Sequence, residues 1–463
     1  QSESNGMYFR LVEFSPSRVK EKTFLTAIEE LSNNNWHSID NDLPLCFKVS
    51  QSCYDKIPGY PIGYWVSEKT LSCLSHDTLE TIAHPRRTIQ CGDVEKFIHF
   101  WHEVSKKDSE LSNDDINYLK TQSGKNWFGF SSGGGGRKWY GNLDSVLFWR
   151  DNGNVIKSTG KAIIPNEDLY FQQCVGYNRI TSSGITARLY DQGLLIGDAT
   201  SILSPTNDNI YNLGLLNSVL CNHFMKVFNP TLAAQTGSLA KVPVIIKQEN
   251  VNHIVSRNVA ISRLDWDAHE TSWDFKTNGI VELLKRGLGT IKAGWGDDPA
   301  TVNMCDLSLL MAEYKAYWRT KFDELHTNEE ELNRQFIEIY GLQDELTPDV
   351  PLNEVTILQQ GEISIEDGQI VWHEDVIIKQ LISYIIGCYM GRYRLDREGL
   401  AIAHPNPSAD EIAPYTFTNV FGTEQPFEID EDGLIPALPS DSGFGDNALL
   451  AVRQFIQKVF GED

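Results

Sequence analysis

The chain has 463 residues, 41% hydrophobic and 11% aromatic; this excludes a largely disordered protein and allows roughly two to four domains. Its formal net charge of −23 excludes a surface that is basic throughout, yet the charge is unevenly placed. Residues 120–260 carry 13 Lys and Arg against 8 Asp and Glu, whereas residues 301–463 carry 10 against 30, so a polyanion is expected to be repelled by the C-terminal third and tolerated or attracted by the middle.

Residues 1–75 begin with a strand-like "MYFRLVEF", continue into a helical "KEKTFLTAIEEL" and end in the apolar "IPGYPIGYWV". Residues 76–255 alternate short helical and strand signals with frequent Gly and Asn. Within them, "DSVLFWRDNGNVIKS" has the pattern of a hairpin turning at Asp151-Asn152-Gly153, since Asn-Gly readily supplies the positive φ of a tight turn. "GITARLY" and "GLLIGD" read as a strand pair, and "NIYNLGLLNSVLCNHFMKVF" as one helix with apolar residues at Leu213, Leu216, Val219, Leu220, Phe224 and Val227.

From about residue 256 the pattern becomes more helical. An apolar stripe through Leu307, Met311, Tyr314, Trp318, Leu325, Leu332, Phe336 and Ile339 predicts one long helix over 305–340, stopped by Gly341 and Pro348. A second apolar helix, "DVIIKQLISYIIGCYMGRY", lies in the acidic region that follows. The expected class is α+β: a mixed α/β domain, then a long helical spacer, then a mostly helical C-terminal domain.

The eight cysteines are scattered with no C-x-x-C pair, which fits buried reduced thiols better than a disulfide framework or a zinc ribbon. No secretory signal and no 18-residue apolar run is visible, so the expected location is the cytoplasm, with no membrane partner. Gln1 is no initiator and "ALLAVRQFIQKVFGED" stops inside an amphipathic pattern, as expected of a piece of a longer protein.

The stretch with most chemical promise is "SSGGGGRKWYGN" at 131–142. It is no Walker A loop, because Gly136 is followed by Arg137, Lys138 and Trp139 with no Ser or Thr to hold Mg²⁺. Gly124-Lys125-Asn126 and Gly160-Lys161-Ala162 fail the same way, and no G-x-G-x-x-G occurs. Glycine amides, two cations and two aromatics suit a nucleic-acid backbone better; the competing reading is an exposed loop beside a buried Trp. His99, His102 and Glu103 in "HFWHE" lack zincin spacing and read as an ordinary helix face. "DWDAHETSWDFK" at 265–276 gathers Asp265, Asp267, Glu270, Asp274 and Lys276 in a nuclease-like cluster, against which its tryptophans read as packing anchors at a domain junction.

Several stretches together resemble the C-terminal, non-catalytic part of PglX, the adenine-specific DNA methyltransferase family of BREX phage-defence systems. They are "KIPGYPIGYWVS" (56–67), "IQCGDVEKFIHFWHEV" (89–104), "RKWYGN" (137–142), "IPNEDLYF" (164–171) and "SSGITARLYDQGLLIGDATSILSP" (182–205). "GLLNSVLCNHFMKVFNPTLAAQTGSLAKVPV" (214–244), "DWDAHETSWDF" (265–275) and "NEEELNRQFIEIYGLQDELTP" (328–348) complete the set. The resemblance implies an S-adenosylmethionine-dependent N6-adenine methyltransferase whose Rossmann-like catalytic domain is absent from this chain. No cofactor glycine motif occurs, and Asn229-Pro230-Thr231 and Asn406-Pro407-Ser408 are not the Asn-Pro-Pro-Tyr loop of such enzymes.

On this resemblance, 1–75 is a connector from the missing catalytic domain and 76–255 a target-recognition domain. Residues 256–345 are the helical spacer and 346–463 an acidic helical C-terminal region. The expected partners are double-stranded DNA, the protein's own N-terminal methyltransferase domain and other BREX proteins. This chain is expected to hold no cofactor or metal and to be inactive alone. The expected DNA contacts are Lys125, Arg137, Lys138, Trp139, Tyr140 and Asn142, with a second cluster at Arg179, Thr181, Ser182, Ser183 and Arg188. The rival reading is an acidic helical scaffold that docks other phage-defence proteins without touching DNA.

Overall fold

The computed structural model describes residues 5–461 except 12–13, 15–16, 33–45, 51–53, 55–56, 61, 112, 122–123, 181–183, 230–233, 248–249, 288–289, 294–301, 420, 440–442 and 444. The fold is α+β. Its first strand, Asn5–Phe9, pairs antiparallel with Cys46–Ser50, and the helix Ser17–Ser32 lies between them in sequence.

Two small sheets organise the middle of the chain. In the first, Trp127–Ser131 is central: it runs antiparallel to Ser145–Phe148 and parallel to Leu195–Ile196 and Ser109–Glu110, and Ile98–Phe100 closes the far edge. Four of the five residues of Trp127–Ser131 are buried, as expected of an apolar run covered on both faces. In the second sheet Cys174–Asn178 lies between Ala187–Tyr190 and Thr200–Leu203, with Pro85–Arg86 beyond. The segment after the glycine run joins this sheet through a Trp139–Arg188 bridge, in which Trp139 N–H donates to Ala187 O at 2.8 Å and Leu189 N–H to Trp139 O at 2.9 Å.

Three local expectations need correction. The 144–158 segment is not a hairpin: strand Ser145–Phe148 leads into a helix, Arg150–Ser158, kinked at Asp151, Asn152 and Gly153, whose φ values are 51°, 56° and 75°. Asn-Gly supplied the positive φ, but the residues after it bury Ile156 on a helix instead of pairing back. "GITARLY" and "GLLIGD" do not pair with each other; Gly193 (φ +96°) turns the chain from the second sheet into the first. The helix over 209–228 is two helices, Asn209–Asn217 and Val219–Phe228, broken at Ser218, which is extended (ψ 155°) and accepts a bond from Cys221 N–H. The break frees Asn217 to clamp the edge of the second sheet, accepting from Ala187 N–H at 2.8 Å and donating to Ala187 O at 3.0 Å.

The long helix is present as Leu307–Tyr340, about 50 Å at 1.5 Å per residue. Asp306 caps its start by accepting from the amides of Ser308 and Leu309, and Gly341 ends it at φ +68°. It is no free-standing spacer. Its buried face, including Tyr314, Trp318, Phe322, Leu325, Leu332 and Phe336, packs on Val251–Asp267, Gly279–Lys285 and Val219–Phe228. Burial of each such side chain contributes about 1.5–3 kcal/mol, and one apolar core runs from Cys73 to Phe460. The C-terminal third adds helices Glu374–Tyr389 and Ala448–Phe460, which pack together, and two hairpins, Ile363–Glu366 with Gln369–Trp372 and Tyr415–Thr418 with Glu424–Phe427.

Candidate nucleic-acid interface

The cations after the glycine run point inward. Arg137 is 4% exposed and Lys138 7%. Arg137 Nη2 donates to Asp265 Oδ2 at 2.7 Å and Ser262 O at 2.9 Å, its Nε donates to Tyr140 O at 2.6 Å, and its guanidinium sits over the Trp266 ring. Lys138 Nζ bonds Glu329 Oε2 at 2.7 Å, while Trp139 Nε1 donates to the other oxygen of the same carboxylate at 2.6 Å. A buried charge persists only when paired and hydrogen-bonded, and here the partners are complete. The expectation that Arg137, Lys138 and Trp139 meet DNA is therefore corrected: these side chains fasten the segment to the Val251–Asp267 and Leu307–Tyr340 helices.

Sequence did hold a signal for this arrangement. Glu329 lies four residues after Leu325 and three before Leu332, on the apolar stripe of the long helix, where a carboxylate must find a cation. Asn333, on the same buried face, accepts from Val219 N–H at 2.9 Å.

Arg188 is likewise interior, fully buried and bonded to Asn178 Oδ1 at 2.8 Å, Tyr190 Oη at 3.2 Å and Gly134 O at 3.2 Å, so it too is corrected from a surface contact to a fastening of the loop. Tyr140 is 2% exposed, its hydroxyl accepts from Arg263 Nη1 at 3.3 Å, and burial pushes its pKa up. Asn142 is half-buried and donates to Gly134 O at 2.7 Å. Lys125 donates to Lys107 O. Thr181, Ser182 and Ser183 lie outside the described residues.

Arg179, another of the expected cations, lines an open cleft. The cleft, of about 800 Å³, is lined by Gly134, Asn178, Arg179, Ile180 and Asp198, by residues 234–237 and by Arg87, which the sequence reading did not single out. Arg179 is held by Asp198, with Nη1 2.9 Å from its carbonyl oxygen and 3.8 Å from Oδ2, and its side chain remains 40% exposed. A second cleft of about 620 Å³ has the opposite character: Asp114, Asp191 and Asp274 surround one cation, Arg263, which stacks over Tyr140 at 4.0 Å. Beside it, burial and the neighbouring Asp274 and Asp191 raise the Asp267 carboxyl to about 6 against the bond from Ser272, and burial raises Asp274 as well.

The nuclease-like cluster is dispersed. Asp265 neutralises Arg137, Asp267 accepts from Ser272 Oγ at 2.7 Å and Lys276 approaches Glu398 at 3.6 Å. His99 sits on a strand and contacts Glu103 at 3.4 Å, not on a helix face. Among the described residues no group of three or more His, Cys, Asp or Glu could hold a metal ion, and no helix is long and apolar enough to cross a membrane. Cys73, Cys91, Cys174, Cys221 and Cys388 are buried free thiols, and burial pushes those of Cys174 and Cys221 up to about 12.

Comparison with known proteins shows that this chain is similar to part of two adenine-specific methyltransferases. It is 30% identical over 99% of its length to the adenine-specific methyltransferase PglX of Lacticaseibacillus casei (strain Zhang), and 30% identical over 90% of its length to the adenine-specific methyltransferase BrxX of Escherichia coli O9:H4 (strain HS). The chain spans about a third of each, 35% of the former and 32% of the latter; it is a relative of part of PglX and BrxX. No family model matches. Among solved structures, the Type IIL restriction-modification enzyme MmeI in complex with DNA aligns over 67% of this chain and 39% of its own, at 13% identity and a TM-score of 0.31.

Proposed function

We propose that this chain is the DNA target-recognition region of a BREX-type, site-specific N6-adenine methyltransferase. It selects the site, and the rest of the enzyme, with S-adenosylmethionine, carries out transfer. The observation that carries this reading is the similarity of nearly the whole chain to one third of two adenine-specific methyltransferases, in a sequence with neither a cofactor glycine motif nor an Asn-Pro-Pro-Tyr loop. The cleft with Arg87 and Arg179 supports it, since phosphate contacts by Arg supply most of the affinity and set the register on the duplex. Such a protein works in the cytoplasm, beside its own methyltransferase domain.

The test is selection from a random duplex library with the purified chain, followed by titration of the winning sequence against salt. The reading expects one enriched non-palindromic motif and affinity that falls steeply with salt; no enrichment and no binding at low salt would overturn it. The acidic cleft favours a second role in the same molecule, docking of basic protein partners such as other BREX components.

A further inference from the structure

The glycine run is absorbed by neither the buried ion pairs nor the fold's core. Gly133, Gly134 and Gly135 have φ of +81°, +86° and +65°, a left-handed path that other residues adopt only under strain. Two of their carbonyls are held by side chains: Gly134 O accepts from Asn142 Nδ2 at 2.7 Å and Arg188 Nη1 at 3.2 Å, and Gly135 O accepts from Asn178 Nδ2. None of the amides of residues 133–136 donates to a described residue. Residues 134–136 are exposed, and the space where side chains of Gly134 and Gly136 would stand is open for 4 Å. The carbonyls of Gly134 and Gly135 are thus tied to the protein, while the amides of residues 133–136 have no partner among the described residues.

Two further features converge on the same place. Gly134 lines the cleft together with Arg87 and Arg179; Arg87 is exposed and makes no ion pair with a described residue. Beneath the loop, Thr200 is fully buried and its hydroxyl has no hydrogen-bond partner. Thr200 stands opposite Asn178 in the sheet, on the face that carries the cleft-lining Asn178, and its Oγ1 is 2.7 Å from where a Cβ on Gly133 would lie. Thr200 thus leaves no room for a side chain at position 133.

We infer that the amides of the glycine run, with Arg87 and Arg179, form a phosphate-oxyanion clamp whose occupant is a phosphodiester of the DNA backbone. Successive backbone N–H groups in a turn that passes from left- to right-handed residues, as Gly135 to Gly136 does in the sign of φ, can make an anion-binding concavity, and a four-glycine run lets the backbone approach where a side chain would stand off. The one carboxylate in the cleft, Asp198, is engaged with Arg179, so the lining keeps a net positive charge. The inference rests on the DNA-recognition reading, and its test separates the two.

The experiment uses the chain with glycine-selective ¹⁵N labelling and a duplex carrying its selected motif, alongside Arg87→Glu. The expected result is a shift of the amide resonances of Gly133–Gly136 on adding duplex. R87E should also lower the slope of log affinity against log salt by about 1, so that the loss of affinity between about 50 and 200 mM salt is about threefold smaller than for the parent. If the parent binds duplex while the four glycine resonances stay fixed and R87E keeps the parent's slope, the clamp is overturned and the recognition reading stands. Equal shifts with inorganic phosphate at matched concentration would make the occupant a free oxyanion and overturn the backbone assignment. A parent chain that binds no duplex overturns both.

Discussion

Two clefts flank the 131–142 segment and have opposite electrostatics. On one side Gly134 borders a cleft with Arg87 and Arg179 against Asp198; on the other Tyr140 borders a cleft with Asp114, Asp191 and Asp274 against Arg263. Between them Arg137 and Lys138 contribute to neither surface, because Asp265 and Glu329 take up their charge inside. The lesson is that the position of a cation in sequence says little about the field it makes outside. A short loop is presented to an anion by cations that face inward and hold it, and the attraction itself comes from arginines about 40 to 50 residues away in sequence.

The sharpest way to break this division is to remove the buried carboxylate. Glu329→Ala strips the partner from both Lys138 Nζ and Trp139 Nε1 and is expected to destabilise the chain by about 3–5 kcal/mol, the cost of an uncompensated buried charge. Urea denaturation measures it. A change under about 1 kcal/mol would mean that Lys138 escapes to solvent, so that the inward assignment is wrong. Replacing both charges, Lys138→Met with Glu329→Leu, should cost much less than Glu329→Ala alone, because no orphan charge remains.

A smaller, pH-dependent effect comes from the other buried pair behind the segment, His269 Nε2 and Glu362 Oε1 at 2.5 Å. Burial pushes the Glu362 carboxyl up, but the hydrogen bond and charge of His269, with a bond from Gln380, outweigh it and hold its pKa near about 2, below the ordinary 4.5. Its contribution is complete above pH 4.5 and is lost as pH falls toward about 2. Burial pushes His269 down, yet Glu362 and Asp265 carry it above the ordinary 6.5. That contribution is complete below pH 6.5 and is lost as pH rises through the elevated value. Stability from the pair therefore peaks between about pH 4.5 and 6.5, and His269→Gln should flatten the profile in denaturation series at about pH 3, 5.5 and 8.5. An unchanged profile would remove the charged pair from the account.

The smallest stability effect is expected at the exposed end of the comparison. Arg87→Glu should alter the denaturation midpoint by no more than about 0.5 kcal/mol, as surface changes do, while changing the salt dependence of DNA binding. A large loss of stability would show that Arg87 belongs to the fold and not to the interface.

The sequence was legible where a pattern is local. The stripe from Met311 to Phe336, the stop at Gly341 and a second helix within 375–393 follow from spacing alone, and the structure has them, although Leu307 is exposed and the second helix ends at Tyr389. It was illegible where a second partner decides. Asn152-Gly153 fixed the sign of φ, yet whether a strand or a helix followed depended on Ile156 finding the core. Arg137 and Lys138 read as surface cations because Asp265 and Glu329 stand 128 and 191 residues away, and only Glu329's place on an apolar stripe hinted at the pairing. The basic cleft was half legible: Arg179 was foreseen, while Arg87 comes to it only because Pro85–Arg86 pairs with Thr200–Leu203 at the edge of the second sheet.

The central claim, that this chain meets DNA over the glycine run and its cleft, is tested most directly by hydrogen–deuterium exchange of the chain with and without its selected duplex. The account predicts new protection over 132–136, 178–180 and 234–237, with 137–140 equally protected in both states because it is already interior. Protection confined to the acidic cleft around Asp191 and Asp274, or none at all with duplex bound, would contradict it.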